Sequence, residues 1–113
     1  MDLRFEVKHF VELSNAELYE ILKLRSEVFV VEQACIFLDL DDKDQNAYHV
    51  IGRDGSTVVA TTRLFGRGQK YDDYHCIGRV CSSSKCRGQG TLCRKIFLKY
   101  LPIITSLKVL GEG

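Results

Sequence analysis

Ile77-Gly78-Arg79-Val80, then Arg87-Gly88-Gln89-Gly90-Thr91, then Leu92, Ile96, Phe97, Tyr100 and Leu101 at helical spacing: this stretch decides the fold. An apolar strand feeds a glycine-rich turn, and the turn opens a helix. A helix start carries unpaired N–H groups and the positive end of the helix dipole. Between Tyr74 and Gly111 there are seven Lys/Arg and no Asp or Glu. A helix start in so basic a segment forms an anion cradle, so the expected ligand is a phosphate-bearing cofactor. Gly88 and Gly90 allow the backbone to approach it closely.

Upstream, Phe5 to Val11 alternates well enough for a strand. Ser14-Asn15-Ala16-Glu17 is a capping box, and Leu18, Ile21, Leu22, Arg25, Val28 and Phe29 come after it at helical spacing. The spacing predicts an amphipathic helix over residues 15–29. An acidic loop with Asp39, Asp41, Asp42 and Asp44 comes next. Residues 49–52 and 57–65 read as strands joined through Asp54-Gly55, a hairpin signal. Residues 75–81 form another strand, the second helix runs from Leu92 towards Pro102, and residues 106–110 form a last strand. The expected order is β-α-β-β-β-α-β, a mixed α/β (α+β) single domain over residues 1–113 with a mostly antiparallel sheet.

The net charge of +1 over 113 residues conceals an uneven split. Residues 1–73 carry nine Lys/Arg against fourteen Asp/Glu, and the segment after them supplies the positive charge. That asymmetry favours an anionic ligand near the C-terminal half. No aromatics except Phe97 and Tyr100, which fall on the expected core face of the second helix, are interleaved with the basic residues, and this argues against a nucleic-acid partner. No apolar run approaches the ~20 residues of a membrane span, so no membrane partner is expected. Five cysteines, Cys35, Cys76, Cys81, Cys86 and Cys93, form no Cys-x-x-Cys pair. Their spacing does not suit zinc, so no metal is expected. An odd count without a secretory signal points to reduced thiols in the cytoplasm. Strand alternation would place Cys76 and Cys81 on opposite faces.

Leu24-Arg25-Ser26-Glu27-Val28-Phe29-Val30-Val31-Glu32-Gln33, Asp39-Leu40-Asp41, His49, Arg63-Leu64, Ile77-Gly78-Arg79-Val80 and Arg87-Gly88-Gln89-Gly90 occur in one order. Together they resemble the ElaA-like branch of the Gcn5-related N-acetyltransferases (GNAT) over roughly residues 10–110. The resemblance implies acetyl-CoA as co-substrate, bound where the fourth and fifth strands splay apart. It implies Val80, Cys81 and Ser82 as pantetheine contacts. Arg87, Gly88, Gln89, Gly90, Thr91 and Leu92 would wrap the pyrophosphate. Leu92 departs from the family pattern, which ends that motif in glycine or alanine. The family also continues past the fifth strand with a further helix and strands, so the domain is expected to be C-terminally incomplete, truncated after that strand.

Acetyl transfer to a primary amine needs a positioned thioester, a base and a donor for the developing oxyanion. Glu32 is the first candidate base, against a surface carboxylate or a partner for Arg25. His49, which titrates near neutrality, is the second, against a structural histidine at a strand edge. Arg25, Arg63 and Arg79 could bind an acidic group of the substrate or hold the acidic loop by ion pairing. The acceptor would be a small amine or an exposed amino group, with transfer direct and no acetylated cysteine. The alternative is a CoA-binding or interaction module without catalysis. An exposed sheet edge could also pair two copies of the chain.

Overall fold

Ser14 and Glu17 fix the start of the helix. Glu17 N–H donates to Ser14 Oγ at 3.1 Å, and Ser14 N–H donates to Glu17 Oε1 at 2.9 Å. The computed structural model describes residues 3–66 and 76–84. Residues 87–92, the second expected helix and the strand expected at 106–110 lie outside the described residues.

Among the described residues, four strands form one antiparallel sheet in sequence order: β1 (Leu3–His9), β2 (Tyr48–Asp54), β3 (Thr57–Phe65) and β4 (Cys76–Ser82). Helix α1 spans Asn15–Arg25. β1 begins earlier than its sequence pattern indicates and gives way to a tight turn at Phe10–Glu12, capped by the His9 and Glu12 side chains. The β2–β3 hairpin turns at Gly55-Ser56. Gly55 takes φ 63 at the first turn position, where a type II′ turn requires glycine.

The expected helix over 15–29 stops being regular at Arg25. Ser26–Glu32 continues it in wider π-type turns. A run of β-branched and aromatic residues, Val28 to Val31, crowds a regular helix and loosens it. The end is a Schellman arrangement: Cys35 N–H donates to Val30 O at 3.1 Å and Ala34 N–H to Val31 O at 3.2 Å. Ala34 there has φ 48, a position usually given to glycine.

α1 packs on one face of the sheet. Ile21, Leu24 and Val28 meet Ile51, Val58 and Cys81, with Leu13 and Phe29 at the margin. The other face gathers Val50, Val59, Ala60 and Leu64 with Phe5, Val7, Tyr48 and Ile77. Fully burying a side chain such as Ile21 or Ile51 stabilises the fold by roughly 1.5–3 kcal/mol.

Pairing between β3 and β4 is not uniform. Arg63 pairs with Gly78, yet Thr61 pairs with Cys81, so Arg79 and Val80 together oppose Thr62. Arg79 has φ 48. This is a G1-type bulge with arginine where glycine usually stands. It changes one expectation from the sequence. Cys76 and Cys81 are five apart but pair with Phe65 and Thr61, which are four apart, so simple alternation does not run from one to the other.

Candidate functional site

Arg25 from the end of α1, Arg63 from β3 and Arg79 from β4 converge on the loop between the helix and β2. Arg25 Nε donates to Asp39 Oδ2 at 2.9 Å, and its Nη1 to Asp44 Oδ1 at 2.6 Å. Arg63 clasps Asp41 with two bonds, Nη1 to Oδ1 at 2.8 Å and Nη2 to Oδ2 at 2.9 Å, and reaches Asp44 Oδ1 at 3.1 Å. Arg79 Nε donates to Asp39 Oδ1 at 2.8 Å, and its Nη2 to Asp39 O at 3.0 Å. Three cations and three anions therefore form one connected network in which each arginine touches two aspartates.

This network explains why the loop looks inside out. Asp39 is 6% exposed, while its neighbours Leu38 and Leu40 are 80% and 49% exposed. Buried guanidinium groups require carboxylates, and alternation along an extended segment turns the leucines outward. Arg63, as deeply buried as Arg25, also lies 5.0 Å from the Phe65 ring centroid.

The electrostatics reflect the pairing. The hydrogen bonds from Arg63 hold the Asp41 carboxyl far below the usual carboxylate range. Burial pushes Asp44 up, but the bonds and charges of Arg25 and then Arg63 outweigh it and bring the carboxyl down. Burial likewise lowers Arg63, and Asp41 and Asp44 more than restore it.

His49 lies beneath this network with 1% exposure. Its Nε2 is 3.0 Å from the Asp44 carbonyl oxygen, which can only accept, so that nitrogen carries the hydrogen. Burial lowers the imidazole below its ordinary value; Asp44 opposes the shift, while the charges of Arg25 and Arg63 reinforce it. Glu32 is exposed at the last position of the π-type segment. The structure thus brings Arg25, Arg63, Arg79 and His49 together with the aspartates and places Glu32 apart, at the helix end.

Val80 is the second residue of the bulge on β4, and Cys81 and Ser82 come directly after it. Cys81 and Ser82 are buried, and Val80 is half-buried. Thr62 Oγ1 donates to Gly78 O at 3.0 Å beside the bulge, and Ser83 N–H donates to Val59 O at 2.7 Å beyond it. The cofactor contacts expected at Arg87, Gly88, Gln89, Gly90, Thr91 and Leu92 lie outside the described residues. A cavity of about 480 Å³ opens between α1, the β2–β3 turn and Ser83-Ser84. Glu20 and Glu27 on its wall outnumber Lys23, so its described lining does not favour phosphate.

No protein-family model matches the chain. It is 35% identical to an acyl-CoA N-acyltransferase from Pseudomonas aeruginosa of known structure, with a TM-score of 0.86 over 94% of this chain and 73% of that one. Escherichia coli ElaA superposes with a TM-score of 0.83 at 32% identity, covering 93% of this chain and 71% of that chain. The chain belongs to the ElaA-like branch of the GNAT superfamily. A UPF0039 protein of Synechocystis is 37% identical over 91 residues, 80% of this chain and 58% of the relative. The chain thus spans a little over half the length of the curated relatives it matches.

For a member of this superfamily, the bulge in β4 is the feature that sequence reasoning missed. Gly78 within an apolar strand pattern was the available signal, since an isolated strand glycine often marks a bulge. Among the described residues no group of His, Cys, Asp and Glu has the arrangement of a metal site, and no helix is long and apolar enough to cross a membrane.

Proposed function

We propose that this chain binds acetyl-CoA along β4 and transfers the acetyl group directly to a primary amine. The observation that carries the reading is the bulge at Arg79-Val80, which interrupts the β3–β4 ladder immediately before Cys81 and Ser82. An interrupted ladder frees main-chain groups to meet the amide-rich pantetheine arm. The glycine turn at residues 87–91 then stands in sequence where the pyrophosphate would be held.

The acceptor nitrogen would attack the thioester carbonyl carbon, forming the N–C bond as the C–S bond breaks. A backbone N–H near Val80 or Cys81 would stabilise the oxyanion. The ammonium proton would pass to a base, and the departing thiolate would take up a proton. Glu32 suits the base better than His49, because it is exposed whereas His49 is buried and holds its hydrogen against the Asp44 carbonyl. Arg25 and Arg63 are assigned to holding the acidic loop, not to binding an acidic substrate, since each is 1% exposed. Arg79, with a side chain 26% exposed, is assigned there by its two bonds to Asp39.

Calorimetric titration with acetyl-CoA, desulfo-CoA and ATP tests the reading. Shared micromolar binding of the first two but not ATP supports the cradle, and an amine panel then reads turnover. Binding without acetylation of any amine would leave a CoA-binding module. No binding at millimolar ligand would overturn the proposal.

A further inference from the structure

Arg79 holds a left-handed backbone conformation that side chains disfavour, at a bulge where glycine would carry no penalty. The contacts that offset that penalty come mainly from one residue. Asp39 receives Arg79 Nε on one carboxylate oxygen at 2.8 Å and Arg79 Nη2 on its carbonyl oxygen at 3.0 Å. The other carboxylate oxygen of Asp39 receives Arg25 Nε at 2.9 Å. Asp39 is buried, so it joins the end of α1 to the middle of β4 inside the protein.

The bulge sets the register of the strand beyond it. With it, Cys81 stands opposite Thr61 and Ser82 opposite Ala60. Without it, the Arg63–Gly78 pairing would continue and place Val80 opposite Thr61 and Cys81 opposite Ala60. A one-residue slip of this kind turns every later side chain to the other face.

We propose that Asp39 is a positioning residue for acyl-CoA: by tying Arg79 to Arg25 it holds the β4 bulge left-handed and so sets the backbone of Val80, Cys81 and Ser82. This rests on the acyl-CoA reading above. Asp39 acts through Arg79 and need not touch the ligand. Asp39 differs here from Asp41 and Asp44: Asp44 makes no hydrogen bond or ion pair with Arg79, and Asp41 reaches it only at 3.5 Å.

The test compares the whole chain with Asp39→Asn, and with Asp39→Asn combined with Arg79→Gly. Backbone NMR of Arg79 and cross-strand contacts between Val80 and Thr62 report the bulge; calorimetry with desulfo-CoA reports the ligand. Asp39→Asn should erase the left-handed signature of Arg79 and weaken desulfo-CoA about tenfold, as the competent population falls. Adding Arg79→Gly should restore affinity, because glycine adopts the conformation unaided, while the lowered melting temperature stays low. An unchanged Arg79 signature or an unchanged affinity in Asp39→Asn overturns the inference, as does failure of the glycine to restore binding. If Asp39→Asn does not fold, Arg79→Lys replaces it: lysine cannot make the two-point contact and should lose affinity similarly, and unchanged affinity overturns the inference. A wild-type chain that ignores desulfo-CoA would instead remove the acyl-CoA reading, and the Arg79 signature would still decide whether Asp39 holds the bulge.

Discussion

Arg25 and Asp44 meet at 2.6 Å with side-chain exposures of 1% and 8%, so this ion pair joins helix and loop almost entirely out of water. Removing one partner of such a pair leaves an uncompensated buried charge. Asp44→Asn should therefore lower unfolding free energy by about 3–5 kcal/mol. Lys8 and Glu17 form a better-hydrated pair at 2.8 Å, and Lys8→Ala should lower it by about 1 kcal/mol or less. Urea midpoints of the two variants check the contrast, and similar losses would contradict it.

Acid should destabilise the chain in two stages. His49 is lowered from 6.5 in the folded chain, so the unfolded state binds the proton more readily and stability falls as pH drops below about 6.5. Asp41 and Asp44 are lowered from 3.8, so their contribution is complete above that value and is lost as pH falls below it. His49→Gln keeps a donor for the Asp44 carbonyl but does not titrate. It should abolish the first stage and spare the second, as read from melting temperature against pH.

Ala34→Gly should stabilise the chain. Alanine at φ 48 carries a penalty of about 1–2 kcal/mol that glycine avoids. Glycine's looser unfolded state removes part of the gain, leaving about 0.5–1 kcal/mol. Thermal unfolding measures it, and a lower midpoint would mean that the Schellman end is not formed.

Gly52→Ala should have the opposite sign. A Cβ on Gly52 would stand 2.8 Å from Phe5 Cε1 and 3.1 Å from Ala60 Cβ. The Phe5 ring lies across this glycine from the paired strand, so room must come from moving a core side chain. The expected loss is about 1–3 kcal/mol by chemical denaturation. Combining it with Phe5→Leu should recover part of that loss.

The helix start, the hairpin and the positions of β2, β3 and β4 were legible because each carries a local signal: a capping box, a glycine turn, or an apolar run. The Arg25, Arg63 and Arg79 set was legible as a question, since arginines within apolar patterns need partners. Its answer was not, because Asp39, Asp41 and Asp44 look like a solvated acidic loop until the fold buries them. Ala34 and Arg79 were hidden for a related reason. Both take left-handed backbone angles with residues that do not announce them, and tertiary contacts, not local preference, settle the geometry. The segment from Arg87 onward, with the glycine-rich turn and the second helical pattern, lies outside the described residues.

The extra residue at Arg79 also works as a frameshift within β4. Ahead of it the strand is read in one phase, and behind it in the other. Deleting Arg79 would remove the step and leave Val80 opposite Thr62 and Cys81 still opposite Thr61, so the faces beyond it would be kept. Deleting Ile77 with the bulge in place would instead exchange inside for outside ahead of it. Point substitutions along β4 and single-residue deletions away from the bulge should therefore belong to different classes of damage. The first would alter one contact, and the second would rewrite the face that the strand presents.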